Sequence, residues 1–269
     1  MFEIYGIFVF LLGTVIGSFL NVVIYRFNTG RGLGGRSFCF TCRRTLSWHE
    51  LVPIASFLSQ RGKCKGCASK ISWQYPLVEA ITGFVFVSLF IKFLPDTTLM
   101  YSFSWMSFFP LIFFTYIFCI LIVISVYDYH HNIIPDTFVW LFNILAFLSL
   151  FIFTGMSYAI HLPSLWSVLA GPLIALPFFF LWWVTGGKAM GFGDVKLALG
   201  MGWLLGITGG FAAVLVSFWI GGLWGIGMLL LRKKTTLKSH VPFGPFMCTA
   251  IFFVFLFSIT ITQILTTHF

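Results

Sequence analysis

Two groups of residues in this sequence have the types and spacing for chemistry. The first is two cysteine pairs, Cys39-Phe-Thr-Cys42 and Cys64-Lys-Gly-Cys67, separated by the 21 residues 43–63. Each short pair offers two thiolates to one tetrahedral ion, and the chain between them is long enough to fold the pairs together, as in a four-thiolate zinc site. A closed site of four thiolates leaves no open position for water or substrate. Its expected role is structural, with cluster or redox chemistry as the other uses of the same ligands.

The second group is acidic. The chain has only seven Asp and Glu residues, and Asp128, Asp136 and Asp194 stand where apolar runs meet polar segments. A carboxylate at a membrane boundary is costly to desolvate and is a functional candidate for that reason. Two carboxyls on different helices at one depth share a proton, activate water against an amide and protonate the leaving group. Asp128 and Asp194 are the pair expected to do this. Taken singly, Asp128 also reads as an exposed boundary residue, and Asp194 as a helix-start cap within Gly191-Phe-Gly-Asp-Val-Lys196. Gly191 and Gly193 loosen that segment and permit close approach of another backbone.

The elements that position these groups are set by composition. Hydrophobic residues make up 59% of the 269 and charged residues 9%, against roughly 25% charged in soluble domains. Stretches 2–25, 77–94, 107–127, 137–154, 165–185, 211–231 and 243–264 each approach the length of a span, about 20 apolar residues. A shorter run, 195–206, followed by a turn at Ile207-Thr-Gly-Gly210, brings the expected count to eight. One tilted helix through the glycine-rich 197–231 region is the alternative. The first stretch lacks a basic start and a small-residue cleavage site, so it is expected to remain as a span.

If spans alternate with the N-terminus outside, segments 26–76, 128–136, 186–194 and 232–242 share one side. Fifteen of the sixteen Lys and Arg residues fall on or beside them, leaving Lys92. By the positive-inside rule that side is cytoplasmic. The net charge of +9 is then topology and contact with anionic headgroups, and nucleic acid is not an expected partner.

The expected fold is an all-α polytopic membrane protein of about eight transmembrane helices, with a small zinc-binding cytoplasmic domain inserted between the first and second spans. Its parts are a first span at 1–25, the four-cysteine domain at 26–76 and a multi-span domain at 77–269. About 50 residues bury little core, so a metal would supply the small domain's folding energy. Gly30-Arg-Gly-Leu-Gly-Gly35 reads as a flexible exit from the first span; the lysine of a phosphate-binding loop is missing. Cys119 and Cys248, inside apolar runs, read as packing residues, Asn21 as interhelical glue and Glu79 as a helix-dipole partner. His130 and His131 read as polar boundary residues. Pro242-Phe-Gly-Pro-Phe246 interrupts regular helix and can leave backbone groups facing the aspartates.

The sequence resembles the type IV prepilin peptidases, within the intramembrane aspartyl proteases named for a Gly-x-Gly-Asp motif. The resemblance runs from Gly17-Ser-Phe-Leu-Asn-Val-Val-Ile-Tyr-Arg26 through the cysteine pairs, Leu46-Ser-Trp48, Arg61-Gly-Lys-Cys64 and Tyr75-Pro-Leu-Val-Glu79. It continues with Asp128, Ile134-Pro-Asp136, Gly191–Lys196 and Pro242–Phe246. It implies an endopeptidase that cleaves a basic leader after glycine on pilin-like proteins, with Asp128 and Asp194 catalytic and Asp136, Gly191, Gly193 and Lys196 supporting. It also implies methylation of the new N-terminal amine from S-adenosylmethionine, associated with Gly62 and Lys63, and zinc on Cys39, Cys42, Cys64 and Cys67. A peptidase without methyl transfer is the runner-up. A transporter whose acids bind cations is the reading from another class, and the order of the motifs argues against it. In place of the glycine often found after each cysteine pair stand Arg43 and Ala68, an exchange expected to loosen or reshape the metal site.

Overall fold

In lipid every backbone N–H and C=O must find a partner within the chain, so long apolar runs become helices. The computed structural model describes residues 2–30, 32–94, 105–154, 157–158, 160–188, 190–231, 242–261 and 263. They form two units, Met1–Thr115 and Tyr116–Phe269. Arg31, Arg232, Lys233, Lys234 and Lys238, counted above among the basic residues of one side, lie outside the described residues.

The first unit contains α1 (Phe2–Arg26), a short 3-10 turn (Trp48–Glu50), α2 (Ala55–Ser59) and α3 (Gln74–Phe93). α1 and α3 meet through small residues. A Cβ at Gly13 would lie 2.7 Å from the Gly83 Cα, and one at Gly17 would lie 2.8 Å from the Glu79 Cα. This is the packing by which membrane helices associate without a hydrophobic drive between them. Ile7, Phe8, Leu11 and Leu12 are exposed on α1, as a lipid-facing surface requires. Asn21 is glue between the two helices: its Nδ2 donates to the Tyr75 carbonyl and its Oδ1 accepts from Gln74 Nε2, both at 3.3 Å.

The second unit takes α4 (Trp105–His131) from Tyr116 onward, then α5 (Asp136–Ile152), a two-residue hairpin of β1 (Phe153–Thr154) and β2 (Ser157–Tyr158), α6 (Leu165–Thr185), α7 (Phe192–Leu231) and α8 (Gly244–Phe257). α1, α3, α4, α6 and α7 are long and apolar enough to cross a membrane, and α5 and α8 are shorter apolar helices. α7 is broken at Gly206, whose φ of 71° and ψ of −176° belong to a region essentially restricted to glycine. Its two parts bring the described apolar helices to eight, as the sequence predicts. The break falls one residue before the expected turn, and residues 207–210 are helical. Gly210 is used instead for close packing, since a Cβ there would lie 2.7 Å from Ile174 Cγ1.

α6 and α7 fit together through two sequence features. Pro172 has no N–H, which leaves the Val168 carbonyl without its helical donor. Trp203 Nε1 donates to that carbonyl at 2.9 Å. Beside it, a Cβ at Gly202 would press on the Ala170 carbonyl oxygen and lie 2.7 Å from the Gly171 Cα. On α5, Asn143 Nδ2 donates to the Lys196 carbonyl at 3.1 Å. These contacts fix the start of α7, where Asp194 stands.

Candidate functional site

Asp128 lies in the last turn of α4 and Asp194 in the first turn of α7, and they are 4% and 8% exposed. Asp194 lies within electrostatic range of Asp128, and buried Cys248 on α8 lies within range of both. Asp128 Oδ2 accepts the Gly244 N–H at 3.1 Å. Only glycine fits there, because a Cβ at Gly244 would lie 2.6 Å from that oxygen. Pro245 follows at the first turn of α8, so the chain enters the helix with the Gly244 N–H free to point at the carboxylate. Among the described residues the ion pairs are Arg44–Glu50 and Lys196–Asp136. Neither Asp128 nor Asp194 therefore has a cation of its own there.

The surrounding predicted residues have separate jobs. The Gly191 carbonyl accepts the Asp194 backbone N–H at 3.2 Å, starting the helix. Gly193 lets that start press on the α4–α5 connection, since a Cβ would lie 2.8 Å from Ile134 Cβ. Asp136 is not part of the buried pair: its side chain is 67% exposed and accepts from Lys196 Nζ at 2.6 Å. That pair joins the starts of α5 and α7. His130 and His131 are exposed at the end of α4.

In the first unit, Cys39, Cys42, Cys64 and Cys67 bring their sulfurs within 4.8 Å of one another. Sulfurs about 2.3 Å from a tetrahedral zinc stand slightly under 4 Å apart, so the cluster fits the ion. The two pairs are folded alike. Cys39 N donates to the Arg44 carbonyl and Arg43 N to the Cys39 carbonyl, while Cys64 N donates to Ser69 and Ala68 N to Cys64, all at 2.9 Å. The Cys42 and then the Thr41 backbone N–H groups draw the Cys39 thiol down to about 6, toward the thiolate a metal needs. Gly62 and Lys63 stand beside this cluster. A Cβ on Gly62 would lie 3.1 Å from the tip of Phe57, and Lys63 bridges to Lys70.

Residues 11–93 match the bacterial peptidase A24 N-terminal domain, and residues 115–226 match the type IV leader peptidase family. A protein named prepilin leader peptidase/N-methyltransferase from Bacillus subtilis (strain 168) is 32% identical over 237 residues, covering 88% of each chain. One of the same name from Aeromonas hydrophila is 30% identical, over 99% of this chain and 95% of its own. A third, from Stutzerimonas stutzeri, is 30% identical over 89% and 86%. The chain belongs to the type IV leader peptidase family. No solved structure matches it significantly. Membership of this family, with the apolar helices, makes the chain a multi-pass membrane protein and an enzyme of the leader peptidase class.

The four sulfurs lie within 4.8 Å of one another, and after the two cysteine pairs stand Arg43 and Ala68. Both hold the left-handed conformation, φ 58° and 54°, that a glycine would adopt in the turn. The paired hydrogen bonds of each turn hold it, against about 1–2 kcal/mol of strain per residue. Glu79 differs from its expected role. It lies in the second turn of α3 rather than at its start, and its Oε2 accepts the Ile54 N–H at 2.7 Å. Ile54 is a β-branched residue at φ 57°, and Glu79 pins it. The Gly13-x-x-x-Gly17 spacing was the available signal for the α1–α3 contact. Nothing local in the sequence marks Gly244 as the donor to Asp128.

Proposed function

We propose that the chain is an aspartyl endopeptidase of the cytoplasmic membrane that removes the basic leader of type IV prepilins and pilin-like proteins after glycine. It then methylates the new N-terminal amine. The observation that carries the proteolytic reading is that Asp128 and Asp194 are both buried at helix ends with no ion-pair partner among the described residues, and that Asp128 is held by the Gly244 N–H. Two such carboxyls hold one proton between them. The ionised member takes a proton from water as the oxygen bonds to the scissile carbonyl carbon. The protonated member gives its proton to the departing nitrogen as the C–N bond breaks. Gly244 keeps Asp128 in place, and Gly193 and Asn143 keep the start of α7 in place around Asp194.

The reading divides the chain into a first span at 1–25, a metal-stabilised domain at 26–76 and a peptidase domain at 77–269. The cytoplasm faces the 26–76 domain and both aspartates, on the one-sided charge distribution. Zinc would be held by the four clustered cysteines in a structural role. The methyl donor is S-adenosylmethionine, the transfer the relatives' name carries. In that transfer the methyl carbon passes from sulfonium to amine nitrogen, the C–S pair stays on sulfur, and the displaced proton goes to water.

The test is incubation of the full chain in detergent with a prepilin, followed by mass measurement with and without S-adenosylmethionine. Loss of the leader mass in both samples, and about 14 Da gained only with the donor, is the expected result. An intact prepilin overturns the peptidase reading. Cleavage without the increment leaves the peptidase and removes the methyl transfer.

A further inference from the structure

The 20 residues of α3, Gln74–Phe93, are about the number needed to cross the hydrocarbon, with none to spare. Its first turn therefore stands at the membrane boundary, and Glu79 stands about 7.5 Å further in, at 1.5 Å per residue. At that level Glu79 Oε2 accepts the Ile54 N–H at 2.7 Å. The chain around Ile54 belongs to the four-cysteine module between α1 and α3, yet it is carried past the start of α3 toward the membrane.

This segment is built for that depth. Its backbone closes on itself: the Leu51 N–H donates to the Trp48 carbonyl, Ser56 to Val52 and Leu58 to Ile54, and Pro53 has no N–H to satisfy. Its exposed large side chains are apolar. Leu51 is 41% exposed, Val52 40% and Leu58 64%, and no charged residue lies between Leu51 and Gln60. Phe57, beside Leu58, is buried against Trp73 with ring centroids 4.7 Å apart. Trp73 in turn heads the exposed row Trp73, Leu77, Ile81, Phe84 and Ile91 along α3. That row is the lipid-facing side of the helix, and Trp73 continues it to the boundary, where tryptophan is favoured. Arg61 and Lys63, both exposed, follow directly after the segment.

We propose that segment 51–58, with Trp73, is an interfacial anchor: Leu51, Val52 and Leu58 enter the bilayer leaflet on the module's side, and Arg61 and Lys63 meet anionic phospholipid headgroups. The occupant of this apolar surface is the bilayer itself. The surface is continuous with the lipid-facing row of α3, and it lies at the depth of about 5–10 Å that interfacial helices reach. The anchor holds the module to the membrane at a point besides its two helical ends. It also gives the Glu79 contact a use, because a backbone N–H taken to that depth needs a partner within the chain.

The experiment places the full chain in nanodiscs of phosphatidylethanolamine and phosphatidylglycerol that contain a phospholipid with a photoreactive diazirine on its acyl chain. Labelled peptides are mapped by mass, and a parallel sample receives a water-soluble diazirine. Lipid labels are expected on 51–58 and on Trp73 as well as on α1 and α3. Combining Val52→Asp with Leu58→Glu should lower the lipid labelling of 51–58 by about tenfold or more while α3 stays labelled and zinc stays bound. Leaving out phosphatidylglycerol should lower it by about threefold, and equal labelling without that lipid would overturn the part given to Arg61 and Lys63. Lipid labels on α1 and α3 with none on 51–58 overturn the anchor. A segment marked only by the soluble reagent is then in water, and one marked by neither reagent is covered by protein. The labels on the unsubstituted chain decide the matter even where the variant fails to fold.

Discussion

Glu50 in the first unit and Asp128 in the second are both buried carboxylates, yet they are held in opposite ways. Glu50 receives Arg44 at 2.6 Å, and the Ser47 backbone N–H and hydroxyl both at 2.9 Å. Asp128 receives one backbone N–H, at 3.1 Å, and no cation among the described residues. Saturating a charge makes it structural, because its ionised form is fixed and its lone pairs are occupied. Leaving it under-supplied keeps it free to exchange a proton. The first unit thus uses its charges and thiols to hold a module too small to fold on a core, while the second holds two buried acids with glycine-mediated helix contacts.

The largest expected effect tests the second half of that contrast. Asp128→Asn and Asp194→Asn should each lower prepilin cleavage by about 10³-fold or more, since acid–base groups acting together contribute at that scale. Both variants should keep bound zinc. Asp136→Asn should retain measurable turnover, because that residue is exposed and paired to Lys196. Substantial cleavage by either of the first two variants would remove the catalytic pair.

Replacing Cys39, Cys42, Cys64 and Cys67 together by serine tests the other half. A structural zinc site supplies on the order of 10 kcal/mol of folding energy, so the module should lose zinc and structure and the enzyme its methylation. Cleavage should fall only as far as the loss of the module disturbs it. Fully methylated product from the zinc-free variant, read by mass, contradicts the division.

Gly244→Ala should weaken cleavage by about 100-fold, by displacing the Asp128 carboxylate that its Cβ would meet at 2.6 Å. Zinc content and donor binding should not change, and a normal cleavage rate would show that the carboxylate's position is not set there.

A smaller effect separates the carboxylates by pH. Arg44 beside it holds the Glu50 carboxyl well below its ordinary value, at about 2. Its folded value lies below its unfolded one, so its contribution to stability is present above about 4.5 and is lost as pH falls toward about 2. Thermal unfolding of the zinc-loaded chain should show acid destabilisation across that window, reduced in Glu50→Gln. An identical acid slope in the variant would assign the loss to the thiolates alone.

The smallest effect is a gain. Arg43→Gly or Ala68→Gly should stabilise the module by about 1 kcal/mol, the relief of a left-handed residue less the freedom glycine adds to the unfolded chain. Denaturation that shows no gain would mean that side-chain contacts offset the strain.

Much of this was written locally. Cys39-x-x-Cys42 and Cys64-x-x-Cys67 carry a ligand set in their types and spacing, and the apolar runs carry the helices because lipid allows the backbone no other partner. Gly191-Phe-Gly-Asp194 likewise marks a carboxylate at a helix start. Contacts between segments distant in sequence were not legible. Gly244 meets Asp128 across 116 positions, Glu79 meets Ile54 across 25, and Trp203 repairs the carbonyl that Pro172 leaves open from another helix. The break in α7 is a similar case: several glycines can supply it, and packing of Gly210 on Ile174 leaves Gly206 to bend. Residue type and spacing determine which groups are able to react or ligate. The distances that saturate Glu50, leave Glu79 facing a cavity and leave Asp128 with a single donor exist only once helices pack, because each depends on which backbone a missing Cβ allows to come near.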